Sequence, residues 1–163
     1  MTRFRWLTDP VEDGVPVRQV YGFCFDASGR LLLRDDGGRF GLPGGRPEHG
    51  ESFADVLARE CLEESQVLIE APVYLGYQEV IEDGDPLPYA QLRMVARITE
   101  FLPRRADPDT ARTYGRLLAP IYEAPALLNW GIDGLFQSAA AARAAIDELG
   151  VDVAASRDQA YRD

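Results

Sequence analysis

Three glutamates, Glu60, Glu63 and Glu64, form the group of side chains in this sequence best suited to chemistry. In an α-helix, residues three or four positions apart lie on one face, so these three carboxylates would be neighbours. Like charges at that spacing repel, and only Arg59 lies close enough along the chain to offset them. Mg²⁺ prefers carboxylate oxygens and shares its remaining positions with water and substrate phosphates. The cluster therefore indicates either a divalent-cation site or a solvated acidic face.

A helix is predicted to present these glutamates. Ser52 is typical of a helix N-cap, and the helix is expected to run to about Ser65. At about 100° per residue, Glu60 lies at the centre of an acidic arc and Arg59 at its rim. The neighbouring arc holds small and apolar side chains, which we expect to pack on a sheet: Ala54, Leu57, Ala58, Cys61, Leu62 and Ser65.

A glycine-rich turn, Pro43-Gly44-Gly45, precedes the helix and breaks the backbone. Its carbonyl groups and the carboxylate of Glu51 can reach the same place as the helical glutamates. Three arginines flank the turn and could hold phosphate oxygens in bidentate fashion, an interpretation weighed evenly against ordinary surface charge: Arg34, Arg39 and Arg46.

The spacing of these residues resembles the signature of the Nudix (MutT-like) hydrolases. That signature is Gly, five residues, Glu, seven residues, then Arg-Glu-aliphatic-any-Glu-Glu-any-Gly-aliphatic, and it is matched here by Gly45, Glu51 and residues 59–67. Two positions depart from it. Cys61 replaces the aliphatic residue, which is mild because free cysteine behaves as a small hydrophobe. Gln66 replaces the glycine that ends the helix in a left-handed conformation, at a cost on the order of 1 kcal/mol unless the turn changes shape.

The resemblance implies a fold, an activity and a set of roles. The fold is an α/β/α sandwich with a mixed β-sheet in a single domain. The activity is Mg²⁺- or Mn²⁺-dependent hydrolysis of the pyrophosphate linkage in a nucleoside diphosphate joined to another group, such as a nucleoside triphosphate or a nucleotide sugar. The implied metal ligands are Glu60, Glu63 and Glu64, with Glu51 in support and the Gly44 carbonyl adding one bond. Arg59 would hold these carboxylates in place.

The identity of the general base stays open. The resemblance allows a glutamate of the signature, for which Glu60 is the candidate, or a glutamate of a later loop, for which the candidates are Glu82, Glu100 and Glu123. A catalytically silent domain that senses a nucleotide and a pure protein-interaction module are the alternatives to an enzyme. The three intact glutamates favour the enzyme, because a sensor has no need of all three.

Composition and charge narrow the partners. The chain has 163 residues, enough for one domain, with 27 acidic against 17 basic residues and a net charge of −10. Such a chain repels polymeric nucleic acid. With no lysine in the sequence, Schiff-base lysine chemistry is excluded. Because the sequence has neither a long apolar run nor a secretory leader, we expect no membrane partner and a cytoplasmic location. In that location Cys24 and Cys61 are expected to be reduced core residues. The sequence is also compatible with a homodimer.

The remaining segments are predicted from periodicity and turn residues. Residues 1–16 form an N-terminal lead-in, 17–150 the domain and 151–163 a C-terminal tail. Strands are expected at 17–25 and 30–34 as a hairpin, at 73–81 and at 91–99, and a second helix at 135–149 ended by Gly150. Residues 114–130 are ambiguous.

His49 and four aromatic residues have a functional and a structural interpretation. His49, in the loop before the helix, is favoured as an exposed bystander rather than a base. Aromatic rings could stack on a base, but at strand spacing they are more often core residues: Trp6, Tyr77, Tyr89 and Trp130.

Overall fold

The computed structural model describes residues 1–154 and 158–163, so three residues of the predicted 151–163 tail lie outside the described part. The strands are β1 (Arg3–Leu7), β2 (Val17–Phe25), β3 (Leu31–Asp36), β4 (Arg39–Gly41), β5 (Gly44–Gly45), β6 (Val67–Ile81), β7 (Tyr89–Phe101), β8 (Gly115–Ala119) and β9 (Ala160–Tyr161). The helices are α1 (Phe53–Ser65), α2 (Ala124–Leu128) and α3 (Gly131–Leu149), with a 3₁₀ turn at Ile121–Glu123.

One mixed sheet holds these strands in the order β1-β6-β7-β2-β3-β8-β9, with β4 paired to β3 and β5 paired to β2. The β2–β7 pair is parallel and places Tyr21 beside Arg93. The β2–β5 pair is antiparallel and places Tyr21 beside Gly44. Gly44, Tyr21 and Arg93 therefore lie side by side across three neighbouring strands.

Side chains of the central strands alternate between two hydrophobic cores, because successive residues of a strand point to opposite faces. On β2, Val20 and Cys24 pack with α1, whereas Phe23 and Phe25 pack with α2 and α3. The sheet is thus covered by helices on both faces, as expected for an α/β/α sandwich. Cys24 and Cys61 are free and buried, which confirms that they are core residues.

The structure adds elements that the sequence did not predict in the remaining segments, and it changes one strand pairing. The lead-in contains β1, which pairs with β6, and the tail contains β9, which pairs with β8. The ambiguous 114–130 segment contains β8 and α2. The 17–25 and 30–34 strands pair only at Phe25 and Leu31, because most of β3 pairs with β4 and β8 instead. No helix in the described part of the chain is long and apolar enough to cross a membrane.

Gln66 ends α1 in the left-handed conformation, with φ 49° and ψ 46°, so the turn keeps the shape that glycine favours. The buried side chain offsets this backbone strain through two hydrogen bonds. Its Nε2 donates to the Glu63 carbonyl at 2.8 Å, and its Oε1 accepts from the Arg105 backbone N–H at 3.2 Å.

Replacing Gln66 with Gly is expected to lower the melting temperature even though it relieves the backbone. The glycine recovers about 1 kcal/mol of strain, whereas two hydrogen bonds of about 1 kcal/mol each and a packed side chain are lost. Gln66→Ala loses the same contacts and keeps the strain, so the expected order of melting temperatures is parent, then Gln66→Gly, then Gln66→Ala. A Gln66→Gly variant that melts above the parent in thermal denaturation would show that the side chain contributes less than the strain.

Candidate functional site

The position of the glutamates along α1 follows from a capping box at its start. The Ser52 hydroxyl accepts from the Asp55 backbone N–H at 3.1 Å, and the Asp55 carboxylate accepts from the Ser52 N–H at 3.2 Å. This reciprocal pair satisfies two backbone donors that the first turn would otherwise leave free. The helix therefore begins at Phe53, as expected from the sequence.

The buried face of α1 includes two of the glutamates, Glu60 at 8% and Glu64 at 3% exposure. Ala58, expected to pack on the sheet, is exposed instead, because the helix is turned so that these carboxylates face the Gly44–Gly45 strand. The interpretation of the cluster as a solvated face is therefore wrong for Glu60 and Glu64. Glu63 is half-buried.

Glu64 lies against β5. Its carboxylate accepts from the Gly44 backbone N–H at 2.8 Å and forms an ion pair with Arg34. Burial raises the pKa of Glu64 to about 7, while Arg34 and the Gly44 N–H oppose that shift. The protein thus holds a carboxylate where its negative charge is only partly compensated.

Glu60 lies over Gly45, and a Cβ at that position would collide with its carboxylate. A larger residue at position 45 would force the Glu60 carboxylate to move from this position. Burial raises the pKa of Glu60, Arg59 lowers it, and the nearby charges of Glu63 and Asp107 raise it further. Glu60 and Glu64 are therefore both enclosed between α1 and the glycine-rich turn.

Arg59 joins the carboxylates to one another. Its guanidinium donates to both oxygens of Glu51, at 2.8 and 3.1 Å, to Glu60 at 2.9 Å and to Glu63 at 3.2 Å. It also donates to the Arg46 carbonyl at 3.0 Å. One side chain thus connects Glu51, the helix and the turn, and its guanidinium holds the pKa of Glu51 below its usual value.

The three flanking arginines have different surroundings. Arg34 pairs with Glu64 and stacks on Tyr114, 4.7 Å from the ring centroid. Arg39 and Arg46 are exposed, as is His49. Of the three, only Arg34 both pairs with a glutamate of α1 and lines a cavity that is bordered by β2 and β7.

The loop glutamates considered as bases have other partners. Glu82 accepts from the Tyr89 hydroxyl at 3.0 Å, Glu123 accepts from Gln159 at 3.3 Å, and Glu100 is exposed on β7. Glu82 also lines a cavity with Arg46 and Pro47, which follow the glycine-rich turn.

Two aspartates in the loop after β7 face the cluster and were missed from the sequence. The charge of Asp107 raises the pKa values of Glu60 and Glu63, and that of Asp109 raises the pKa of Glu63. Asp107 is 5% exposed and accepts from the Asp109 and Thr110 backbone N–H groups. The Asp-Pro-Asp sequence of this loop, residues 107–109, was the available signal, since aspartate orders such turns.

A cavity of about 530 Å³ lies beside the cluster, bordered by β2, β7 and the start of α3. Its lining includes Tyr21, Arg34, Gln78, Gln91, Arg93 and Trp130. Burial raises the pKa of Tyr21, Glu64 and Glu60 raise it further, and Arg93 and Arg34 oppose the rise. The phenol therefore lines the cavity near charges of both signs. Tyr77 is a core residue, whereas Trp130 faces the cavity.

No group of three His, Cys, Asp or Glu side chains is arranged as a preformed metal site within the described residues. The carboxylate oxygens of Glu60 and Glu63 form ion pairs with Arg59, and those of Glu64 form an ion pair with Arg34. Those oxygens are the hard donors that a divalent cation would take in their place.

Known proteins share both the sequence profile and the fold of this chain. The sequence profile of the NUDIX domain matches residues 15–111, and no curated protein matches the chain. Similar solved structures include a Nudix hydrolase from Nitrosomonas europaea, with 20% identity over 77% of this chain and 87% of that chain, at a TM-score of 0.57. A MutT protein from Bacillus halodurans has 21% identity over 74% of this chain and 78% of that chain, at a TM-score of 0.53.

A variant of the pyrophosphohydrolase BsRppH from Bacillus subtilis has 21% identity over 61% of this chain, at a TM-score of 0.54. The match spans 62% of that protein's length. At these identities the structural likeness shows a shared fold.

Proposed function

Because the chain belongs to the NUDIX domain family, we propose that it is a hydrolase that cleaves the pyrophosphate linkage of a nucleoside diphosphate joined to another group. The observation that carries this proposal is the burial of Glu60 and Glu64 beside the Gly44–Gly45 strand. Burying two carboxylates disfavours their ionised forms, and packing alone does not require it. A reaction that uses ionised carboxylate oxygens next to a cavity would explain why these two residues are buried.

The cofactor that we propose is a divalent cation, Mg²⁺ or Mn²⁺. The donors would be the carboxylates of Glu60, Glu63 and Glu64, supported by Glu51 and by the Gly44 carbonyl. These oxygens suit a hard cation, and burial, the main cause of the raised pKa values of Glu60, Glu63 and Glu64, disfavours ionised forms that a bound cation would stabilise. Such a cation, when bound, neutralises phosphate charge and makes a water molecule more acidic.

The chain's own residues would have distinct roles. The Gly44 N–H and Arg34 hold Glu64 against β5, and Arg59 holds Glu51, Glu60 and Glu63 at fixed separations. Glu60, which Arg59 holds beside the Gly45 backbone, would accept the proton of the attacking water. Glu82, Glu100 and Glu123 stay the alternatives for this role.

A panel of nucleoside triphosphates, nucleotide sugars and dinucleotides, each incubated with the protein and Mg²⁺, tests the proposal. We expect chromatography to show cleavage of at least one member into products split at the pyrophosphate. Binding without cleavage would instead identify a nucleotide sensor, and neither binding nor cleavage a protein-interaction module.

The metal proposal predicts a thermal shift. The melting temperature is expected to rise by roughly 5–10 °C when Mg²⁺ or Mn²⁺ is at about 100 times its Kd, because only the folded chain presents the site. Replacing Glu63 and Glu64 together with Gln should abolish the rise and leave the metal-free fold as stable or slightly more stable.

The matched control for that double variant replaces two exposed glutamates, Glu70 and Glu148, with Gln. It changes the net charge equally and should keep the full response to metal. If the Glu63 and Glu64 double variant responds like this control in differential scanning fluorimetry, the cation binds elsewhere.

A further inference from the structure

Arg93, on β7, is a buried cation that lines the cavity and is only 2% exposed. Its guanidinium lies 5.1 Å from the ring centroid of Tyr21 and 5.0 Å from that of Trp130. Its hydrogen-bond acceptors are neutral: Gln137 Oε1 at 2.9 Å, Gln78 Oε1 at 3.3 Å, and two oxygens of Gln91 at 3.4 and 3.5 Å. Across residues 1–154 and 158–163, no carboxylate pairs with it.

A buried charge without a counter-charge is costly, so an unpaired guanidinium in this place needs an explanation. Burial lowers the pKa of Arg93 to about 10, which leaves it charged at neutral pH. The cavity's other arginine, Arg34, already has a carboxylate partner in Glu64. Asp133 also lines the cavity but forms no ion pair with Arg93 among the described residues.

Arg116 shows that burial of an arginine can be purely structural. It is 1% exposed, and its guanidinium donates to the backbone carbonyls of Ser65, Leu102 and Arg162. It therefore ties α1 to the strands around it. Arg93 differs because three of its four acceptors are side-chain amide oxygens and because it borders open space.

The sheet register gives the position of Arg93 relative to the acidic cluster. Gly44, Tyr21 and Arg93 are neighbours on β5, β2 and β7. Strands lie about 4.8 Å apart, so Arg93 is about 10 Å from the Gly44 strand along the sheet. A pyrophosphate bound at the glutamates would leave Arg93 facing a more distant part of the substrate.

We infer that the group joined to the nucleoside diphosphate carries its own negative charge, a carboxylate or a phosphate, and that Arg93 is the residue that selects it. This inference rests on the proposed function for the position of the pyrophosphate. The guanidinium would donate charge-assisted hydrogen bonds to that anion, and the ligand would provide the counter-charge that the cavity lacks. The Tyr21 and Trp130 rings would hold the guanidinium plane in place.

Three uridine nucleotides that differ at one end test the inference. UDP-glucose has an uncharged end, UDP-glucuronic acid has a carboxylate in the same position, and UTP ends in a phosphate. Binding is measured by calorimetry with Mg²⁺ in a Glu60→Gln background, so that turnover does not interfere. We expect one or both charged ligands to bind about 10- to 100-fold more tightly than UDP-glucose, as one charged hydrogen-bonded contact allows.

Arg93→Gln in that background should remove the preference, and Arg93→Lys should keep part of it. Arg116→Gln is the matched control: it should lower thermal stability and leave the preference unchanged. Equal binding of all three ligands, no binding of any, or a preference that survives Arg93→Gln in a folded protein would overturn the inference. A charge preference without turnover in the parent would instead overturn the proposed function alone, which separates the two failures.

Discussion

Replacing Glu60 with Gln is expected to lower kcat by several powers of ten, with little change in substrate KM. Glu60 is enclosed between Arg59 and the Gly45 backbone, at the centre of the carboxylates. Gln keeps the shape of the side chain and can still accept from Arg59, but it neither takes a proton nor contributes a negative charge. Loss of an interaction made only in the transition state lowers kcat rather than raising KM. Steady-state kinetics on the best substrate of the nucleotide panel measures both.

The matched control for this variant is Glu79→Gln. Glu79 is equally buried, at 7% exposure, but it lies on β6 and pairs with Arg5. Its replacement should leave kcat within a few-fold of the parent. If Glu60→Gln behaves like Glu79→Gln, Glu60 is not the base, and Asp107→Asn becomes the variant to measure, because Asp107 faces the same cluster.

Replacing Arg59 with Ala is expected to lower kcat/KM about 10- to 100-fold, the usual effect of losing a group that orients metal ligands. Without the guanidinium, Glu51, Glu60 and Glu63 lose the hydrogen bonds that hold them together. Part of the loss should therefore be weaker metal affinity, and excess Mg²⁺ should recover that part. The measurement is kcat/KM as a function of Mg²⁺ concentration.

Arg143→Ala provides the comparison, since it removes an exposed arginine that pairs only with Asp147, one helical turn away. We expect no change in activity or metal dependence, because exposed ion pairs contribute little. Were Arg59→Ala more damaging than Glu60→Gln and insensitive to Mg²⁺, the arginine would have to contact the phosphate itself.

The start of α1 and the spacing of its glutamates could be predicted because they depend on residues within one short segment. The capping box and the left-handed end at Gln66 are local features of this kind. The orientation of the helix could not be predicted, since it depends on contacts of Glu60 and Glu64 with β5 and Arg34. A cytoplasmic location and a homodimer stay predictions from the sequence.

Residues that reach the site from distant segments were missed for a related reason. Asp107 approaches α1 from a loop that periodicity marks only as irregular. Arg93 is one arginine among many in the sequence, and its significance comes from the strands and helix that enclose it. An uncompensated buried charge is visible only when all the neighbours are known.

The parallel pairing of β2 with β7 has a consequence for how the chain folds. The strands join residues such as Gln19 and Gln91, which are 72 positions apart along the chain, and the segment between them contains α1 and β6. Helical turns form from local contacts, whereas closing so long a loop is entropically costly and slow. We therefore expect the pairing of β2 with β7, and with it the cavity wall formed by β7, to form late in folding. The site would then become able to bind and cleave a substrate only in this late step.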